Sequence, residues 1–83
     1  MMDSLEIARR ILHSNLQLGA RAGQLDANTP LMGHLPELNS LTAMGIISAI
    51  EEQTGCTISD LEITADIFET VGSLAAFIHK KIS

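Results

Sequence analysis

Apolar residues recur at the spacing of an α-helix in two segments near the two ends of this 83-residue chain. Residues three and four apart lie on one face of a helix, so such a stripe marks a face that packs against a core. The first stripe consists of Leu5, Ala8, Ile11, Leu12 and Leu16. The second stripe consists of Val71, Leu74, Ala75, Ile78 and Ile82. The chain is therefore predicted to fold by packing helix against helix.

Capping residues predict where the helices begin and end. Asp3 followed by Glu6 resembles a capping box, and Gly19 suits a helix end. Gly55 suits the left-handed position that follows a helix, and Thr70 is a favoured N-cap residue. We predict main helices over 4–18, 40–54 and 71–82, and a short helix within 60–68.

Residues 19–39 show no sustained period and are rich in Gly and Pro. We expect an ordered long loop here, held against the helices by its leucines, which are Leu25, Leu31, Leu35 and Leu38. The predicted fold class is all-α, a small four-helix bundle with three main helices, one short helix and a long loop between the first and second. Residues 1–83 are expected to form a single domain.

The second predicted helix is apolar along most of its length. Its predicted buried face consists of Leu41, Met44, Ile47 and Ile50, broadened by Ala43 and Ile46. Gly45 in the middle of this helix costs about 1 kcal/mol relative to Ala, which suggests that another chain segment or a partner approaches closely there.

The composition excludes several classes of protein. The chain has five Lys and Arg residues and ten acidic ones, which gives a net charge of −5. We therefore do not expect it to bind nucleic acid, and we expect its partners to have basic surfaces. No apolar stretch is long enough to span a bilayer, we expect no signal peptide, and Cys56 is the only cysteine. We expect a cytoplasmic protein in which Cys56 is a small, partly buried apolar residue.

Enzyme motifs are missing from the sequence. It has no G-x-S-x-G, phosphate-binding glycine loop, C-x-x-C or H-E-x-x-H, and its three histidines, His13, His34 and His79, are too widely spaced for a metal site. A hydrolase using Ser40 and His34 is a remote alternative, because so small a bundle leaves little room for a pocket and an oxyanion hole. We expect no catalytic residues, and histidines at the surface.

Ser40 stands at the junction of the long loop and the second helix. On spacing alone it is interpreted as an N-cap, since Ser and Asn both favour that position. The surrounding sequence changes this interpretation. Asn39-Ser40-Leu41, the run from Ile46 to Gly55, Ile58-Ser59-Asp60 and the stretch from Ile67 to Leu74 follow one another in the order and near the spacing found in acyl carrier proteins. Over residues 35–82 the chain resembles that family.

The resemblance implies a carrier rather than an enzyme. It implies that Ser40 receives 4′-phosphopantetheine from coenzyme A, and that the thiol of this arm holds acyl or aminoacyl groups as thioesters. The implied partners are a phosphopantetheinyl transferase, a loading ligase and downstream synthase enzymes, in fatty acid, polyketide or nonribosomal peptide biosynthesis, with the carrier as a monomer. Leu41 is implied to support the motif and to contact the transferase.

Two features depart from the family pattern. Asn39 replaces the usual Asp, and no acidic residue occurs from Thr42 to Ile50. These departures favour a specialised partner with a smaller basic surface, and they motivate an alternative, a helical interaction adaptor that keeps the fold without the arm. The first interpretation of Met44 and Ile47 is that they belong to the core, and that of Glu51 and Glu52 is that they form a solvated face. Partner docking is a secondary interpretation of all four residues.

Overall fold

Three α-helices dominate the fold. The structure is a computed structural model that describes residues 3–16, 23, 25–31 and 38–82, without the side chain of Ser40. The helices are α1 (Ser4–Leu16), α2 (Ser40–Thr54) and α3 (Val71–Ile82), and two short 3₁₀ helices, Asp60–Glu62 and Ala65–Phe68, precede α3. The described residues thus confirm the all-α class and the three main helices. The short helical structure predicted within 60–68 is present as two separate 3₁₀ helices rather than one.

The predicted caps explain where these helices begin and end. The Asp3 carboxylate accepts the Glu6 backbone N–H at 2.8 Å at the start of α1. The Thr70 hydroxyl oxygen accepts the Ser73 N–H at 3.0 Å at the start of α3. Gly55 closes α2 with φ of 71°, in the left-handed region that favours glycine. The predicted end of α1 at residues 17–19 lies outside the described residues.

The core lies where α1 packs against α2 and α3. It is built from aliphatic side chains with Phe68 as its buried aromatic among the described residues. The fully buried large side chains are Leu12, Leu31, Ile46, Ile50, Val71, Leu74 and Ile78. Both stripes read from the sequence point into this core, except that Ile82 at the end of α3 is 47% exposed, because the helix extends past the core there.

The described part of the long loop is fastened to the start of α3. The Leu31 N–H donates to the Glu69 carbonyl and the Val71 N–H donates to the Thr29 carbonyl, each at 3.0 Å. Leu25, Leu31 and Leu38 are buried, as predicted for leucines that hold the loop down, whereas Leu35 lies outside the described residues. The described part of the loop around Leu31 is therefore held against the core next to the start of α3.

The buried face of α2 differs from the prediction. Ile46, Ile47 and Ile50 are buried, whereas Leu41 is 81% and Met44 71% exposed, so the prediction of a buried face through Leu41 and Met44 is wrong. The exposed stripe instead comprises Leu41, Met44, Ser48 and Glu52, at helical spacing. Close packing at Gly45 is confirmed, since a Cβ there would lie 3.0 Å from Oδ1 of Asn15 on α1.

Candidate functional site

The N-terminus of α2 is capped by Asn39. This residue has an extended backbone, and its Oδ1 accepts the N–H groups of Leu41 at 2.9 Å and Thr42 at 3.1 Å. The Asn39 N–H in turn donates to the Thr42 hydroxyl at 2.8 Å, which completes a capping box. The interpretation of Ser40 as the cap is therefore wrong, because a cap residue must have a non-helical backbone and Ser40 is already the first residue of α2.

Ser40 lies between two exposed residues, Asn39 and Leu41. Its own side chain lies outside the described part of the structure. At the N-terminus of α2, the residues directly before and directly after Ser40 in the sequence are therefore accessible to solvent. A phosphodiester bound at this position would lie at the positive end of the helix dipole. The backbone N–H groups of Leu41, Thr42 and Ala43 already have acceptors in Asn39.

A cavity of about 440 Å³ runs beside α2. One wall is the α2 face that begins one turn after Ser40, and the other is the segment that carries the two 3₁₀ helices. The residues that line it are Ala43, Met44, Ile47, Ser48, Glu51, Ile58, Asp60, Ile63 and Phe68. Six of these nine side chains are apolar, and Ser48, Glu51 and Asp60 contribute the polar groups. The cavity is therefore a mostly apolar space that begins within one turn of the N-terminus of α2.

Met44 and Ile47 both line this cavity, but they differ in exposure. Ile47 is 7% exposed, so its core interpretation is supported and it offers little surface for a partner. Met44 is largely exposed, so its core interpretation is wrong. Met44 lies on the exposed stripe of α2, which also carries Leu41, Ser48 and Glu52. Leu61, 94% exposed, is a further large apolar side chain beside the cavity residue Asp60.

Glu51 and Glu52 are neighbours with different environments. Glu51 is half-buried, and its Oε2 accepts the Ile58 N–H at 2.8 Å. Glu52 is exposed. The prediction of a solvated face thus holds for Glu52 but not for Glu51, whose carboxylate is occupied by the backbone of the opposite cavity wall.

Glu62 ties the same wall to α3. Its carboxylate accepts the Ser59 N–H at 3.0 Å and forms an ion pair with Lys81. The Lys81 hydrogen bond, assisted by the Ser59 N–H, lowers the pKa of Glu62 from its ordinary value of 4.5. Nearby, the half-buried Cys56 thiol donates to the Lys81 carbonyl at 3.2 Å, as expected for a packed residue.

The remaining sequence candidates do not assemble into a second site. His13 and His79 are exposed, as predicted, and His34 lies outside the described residues. Within residues 3–16, 23, 25–31 and 38–82, no group of His, Cys, Asp and Glu side chains could hold a metal ion. No helix in the described part of the chain is long and apolar enough to cross a membrane.

Sequence reasoning missed the far wall of the cavity. Ile63 and Phe68 line it, but they lie in a stretch too short and irregular to show a period. One signal was available for the turn before them. Ser59 followed three residues later by Glu62 has the S-x-x-E pattern of a capping box, and the Glu62 carboxylate does accept the Ser59 N–H.

The parts of the chain that match known proteins include both the N-terminus of α2 and the residues that line the cavity. A family model described as a phosphopantetheine attachment site matches residues 5–78. The holo acyl carrier protein from Nitrosomonas europaea, whose structure was solved by NMR in solution, is 43% identical to the chain. The match covers 98% of each chain with a TM-score of 0.88. No curated protein matches the chain significantly.

Proposed function

Because the chain belongs to the acyl carrier proteins, which bear a covalently bound phosphopantetheine arm, we propose that Ser40 is the attachment point of this arm and that the arm holds acyl or aminoacyl groups as thioesters. Proteins of this family are carriers and not enzymes, and their cofactor is 4′-phosphopantetheine. The hydrolase alternative built on Ser40 and His34 is thereby excluded. What remains to be assigned to this chain is the residue that bears the arm, the group that it holds and the enzymes that it serves.

The observation that carries the proposal is the position of Ser40. It is the first residue of α2, directly after the cap, and both of its neighbours in sequence are exposed. Since Asn39 supplies the cap, the serine is not required for that purpose. In the attachment reaction the Ser40 hydroxyl would lose its proton and form a phosphodiester, while the diphosphate bond of coenzyme A breaks and the nucleotide part leaves.

The cavity beside α2 supports a role in holding cargo. Its near wall starts at Ala43, one turn along the helix from Ser40, and most of its lining is apolar. An acyl chain carried on the thiol can therefore be partly withdrawn from water against Ile47 and Phe68, which favours the carried state by the burial of apolar surface. When bound, the arm supplies the thiol on which the thioester forms.

The partners are part of the proposal. A phosphopantetheinyl transferase would install the arm, a ligase would load it and synthase enzymes would receive the cargo, in the cytoplasm and with the carrier as a monomer of one domain. The exposed Leu41 offers the transferase an apolar contact beside the serine. Because α2 has no charged residue between Ser40 and Ile50, we propose that these enzymes are specialised ones that rely little on basic residues at this part of the helix.

The test is incubation of the purified chain with coenzyme A and a broadly tolerant phosphopantetheinyl transferase, followed by intact mass measurement. We expect a gain of one phosphopantetheine group, and no gain in Ser40→Ala. The matched control is Ser48→Ala, which removes an exposed serine from the same helix and should leave the gain unchanged.

Two results would contradict the proposal. An equal gain in Ser40→Ala would move the arm to another residue. No gain in the wild-type chain, together with unmodified protein from the native cell, would favour the alternative of an interaction adaptor without an arm.

A further inference from the structure

The Glu51 carboxylate joins the two walls of the cavity. It projects from α2 and accepts the Ile58 N–H at 2.8 Å, and Glu51 and Ile58 both line the cavity. The side chain of Ile58 is buried. A hydrogen bond from a backbone N–H to an ionised acceptor is about twice as strong as one between neutral groups. This bond therefore sets how closely the backbone at Ile58 approaches α2.

The far wall has a second anchor on the opposite side. Glu62 accepts the Ser59 N–H and pairs with Lys81 of α3. Between these two anchors lies the segment 58–62, which forms only one short 3₁₀ turn and has no buried residue after Ile58. A segment with so few buried contacts depends on its polar anchors for its position. Loss of the Glu51 bond would leave the Ile58 N–H without its acceptor and would remove the polar anchor that joins the wall to α2.

From this geometry we infer that Glu51 is a positioning residue for the cargo cavity, which it keeps narrow by holding the far wall to α2. The inference rests on the proposed function, because the cavity has a cargo only if the arm is attached. Glu51 would act through the Ile58 backbone and need not touch the cargo. Its effect on the carrier is to limit the access of water and of other nucleophiles to a thioester whose acyl chain lies in the cavity.

The first measurement is amide hydrogen exchange in the unmodified protein, over residues 58–63. Glu51→Ala should exchange faster there, on the order of tenfold or more, since a hydrogen bond to a charged group is lost. The exchange rate of Glu51→Gln should lie between those of the wild type and Glu51→Ala, because the amide oxygen of Gln can accept the same hydrogen bond but carries no charge. Glu52→Ala is the matched control, an exposed neighbour whose replacement should leave exchange unchanged. Should Glu51→Ala fail to fold, Glu51→Asp takes its place, since its side chain is one methylene shorter.

The second measurement uses the protein loaded with a medium-length acyl group. Cleavage of the thioester by hydroxylamine should be several-fold faster in Glu51→Ala than in the wild type and Glu52→Ala, with Glu51→Gln again intermediate. Circular dichroism of each variant shows whether the helices remain, so that general unfolding is not mistaken for a widened cavity. If Glu51 only stabilised the fold, its variants would have a lower free energy of unfolding, but their cleavage rates would not rise in the order wild type, Glu51→Gln, Glu51→Ala.

The outcomes separate the inference from the proposed function. If Glu51→Ala accepts the arm but exchanges and cleaves like the wild type, the inference is overturned and the carrier function stands. If Ser40 of the wild type is never modified, the proposed function fails, and hydrogen exchange alone decides whether Glu51 holds the wall. Faster exchange with unchanged cleavage would also overturn the inference, since the wall would then not protect the cargo.

Discussion

At the scale of single residues, Asn39 combines a structural and a functional property. Its amide oxygen accepts two N–H groups from the first turn of α2 and so fixes the start of the helix next to Ser40. An aspartate, which acyl carrier proteins usually have at this position, can make the same bonds and adds a negative charge at the positive end of the helix dipole. The neutral amide therefore preserves the cap while giving up the charge.

We predict that Asn39→Asp is more stable than the wild type by about 0.3–1 kcal/mol, through the helix dipole. We also expect it to accept the arm faster, because it restores the carboxylate that acyl carrier proteins usually have beside the modified serine. Asn39→Ala should lose about 0.5–2 kcal/mol with the cap. Urea unfolding and the initial rate of arm transfer measure the two effects. Slower transfer to the Asp variant would contradict the role assigned to the charge.

The sequence predicts single residues well where the interaction is local. The caps at Asp3 and Thr70 lie within three residues of their partners, so the sequence pattern contains them. The bond from the Ile58 N–H to Glu51 spans the turn after α2, and it forms only because that turn folds the chain back toward the helix. No spacing rule relates such a pair, and for this reason Glu51 resembles the solvated Glu52 in the sequence but not in the structure.

At the scale of elements, α2 shows what periodicity can and cannot fix. Its bounds follow from a cap and from Gly55, and they agree with the prediction. The buried face does not agree with the prediction, because apolar residues occupy most positions from Leu41 to Ile50 and Ser48 alone is too weak a signal to mark the outward side. The orientation is decided by contacts with α1, where Gly45 meets Asn15, and sequence reasoning has no access to those contacts.

The orientation of α2 can be tested with two apolar side chains two positions apart. Ile46 is fully buried and Met44 is largely exposed. We expect Ile46→Ala to lose about 2–5 kcal/mol of the free energy of unfolding, from lost burial and the cavity left behind. Met44→Ala should stay within about 0.5 kcal/mol of the wild type. Urea unfolding of both variants measures this, and similar losses in the two would show that the face is assigned wrongly.

At the scale of the whole molecule, the negative charge is unevenly placed. Six of the ten acidic residues fall between residues 51 and 69, after the end of the uncharged stretch of α2. Charge of this kind steers the encounter with a basic partner more than it adds affinity. A partner attracted to this region would approach the far wall of the cavity and the end of α2. The apolar side chains at the start of α2, Leu41 and Met44, would then complete the contact near Ser40.

The ion pair between Glu62 and Lys81 joins this acidic region to α3, and it makes the stability of the fold depend on pH. The pKa of Glu62 is lowered by the Lys81 hydrogen bond and by the Ser59 N–H. A carboxyl group whose pKa is lower in the folded than in the unfolded chain stabilises the fold fully above its unfolded pKa, and the contribution disappears as the pH falls through the folded pKa. The relevant range is therefore below 4.5, the ordinary value of the group.

The contribution of Glu62 is measured by comparing the stability of the wild type with that of Glu62→Gln, which removes the charge but keeps an acceptor for the Ser59 N–H. We expect the wild type to be the more stable protein at neutral pH, and the difference to shrink as the pH is lowered below 4.5 and through the pKa of Glu62 in the folded chain. Urea unfolding at a series of pH values measures the difference. A difference that stayed constant or grew in acid would mean that Lys81 does not stabilise the charged form. In that case Glu51 and packing would hold the far wall of the cavity, and the contact between Glu62 and Lys81 would contribute no electrostatic stabilisation.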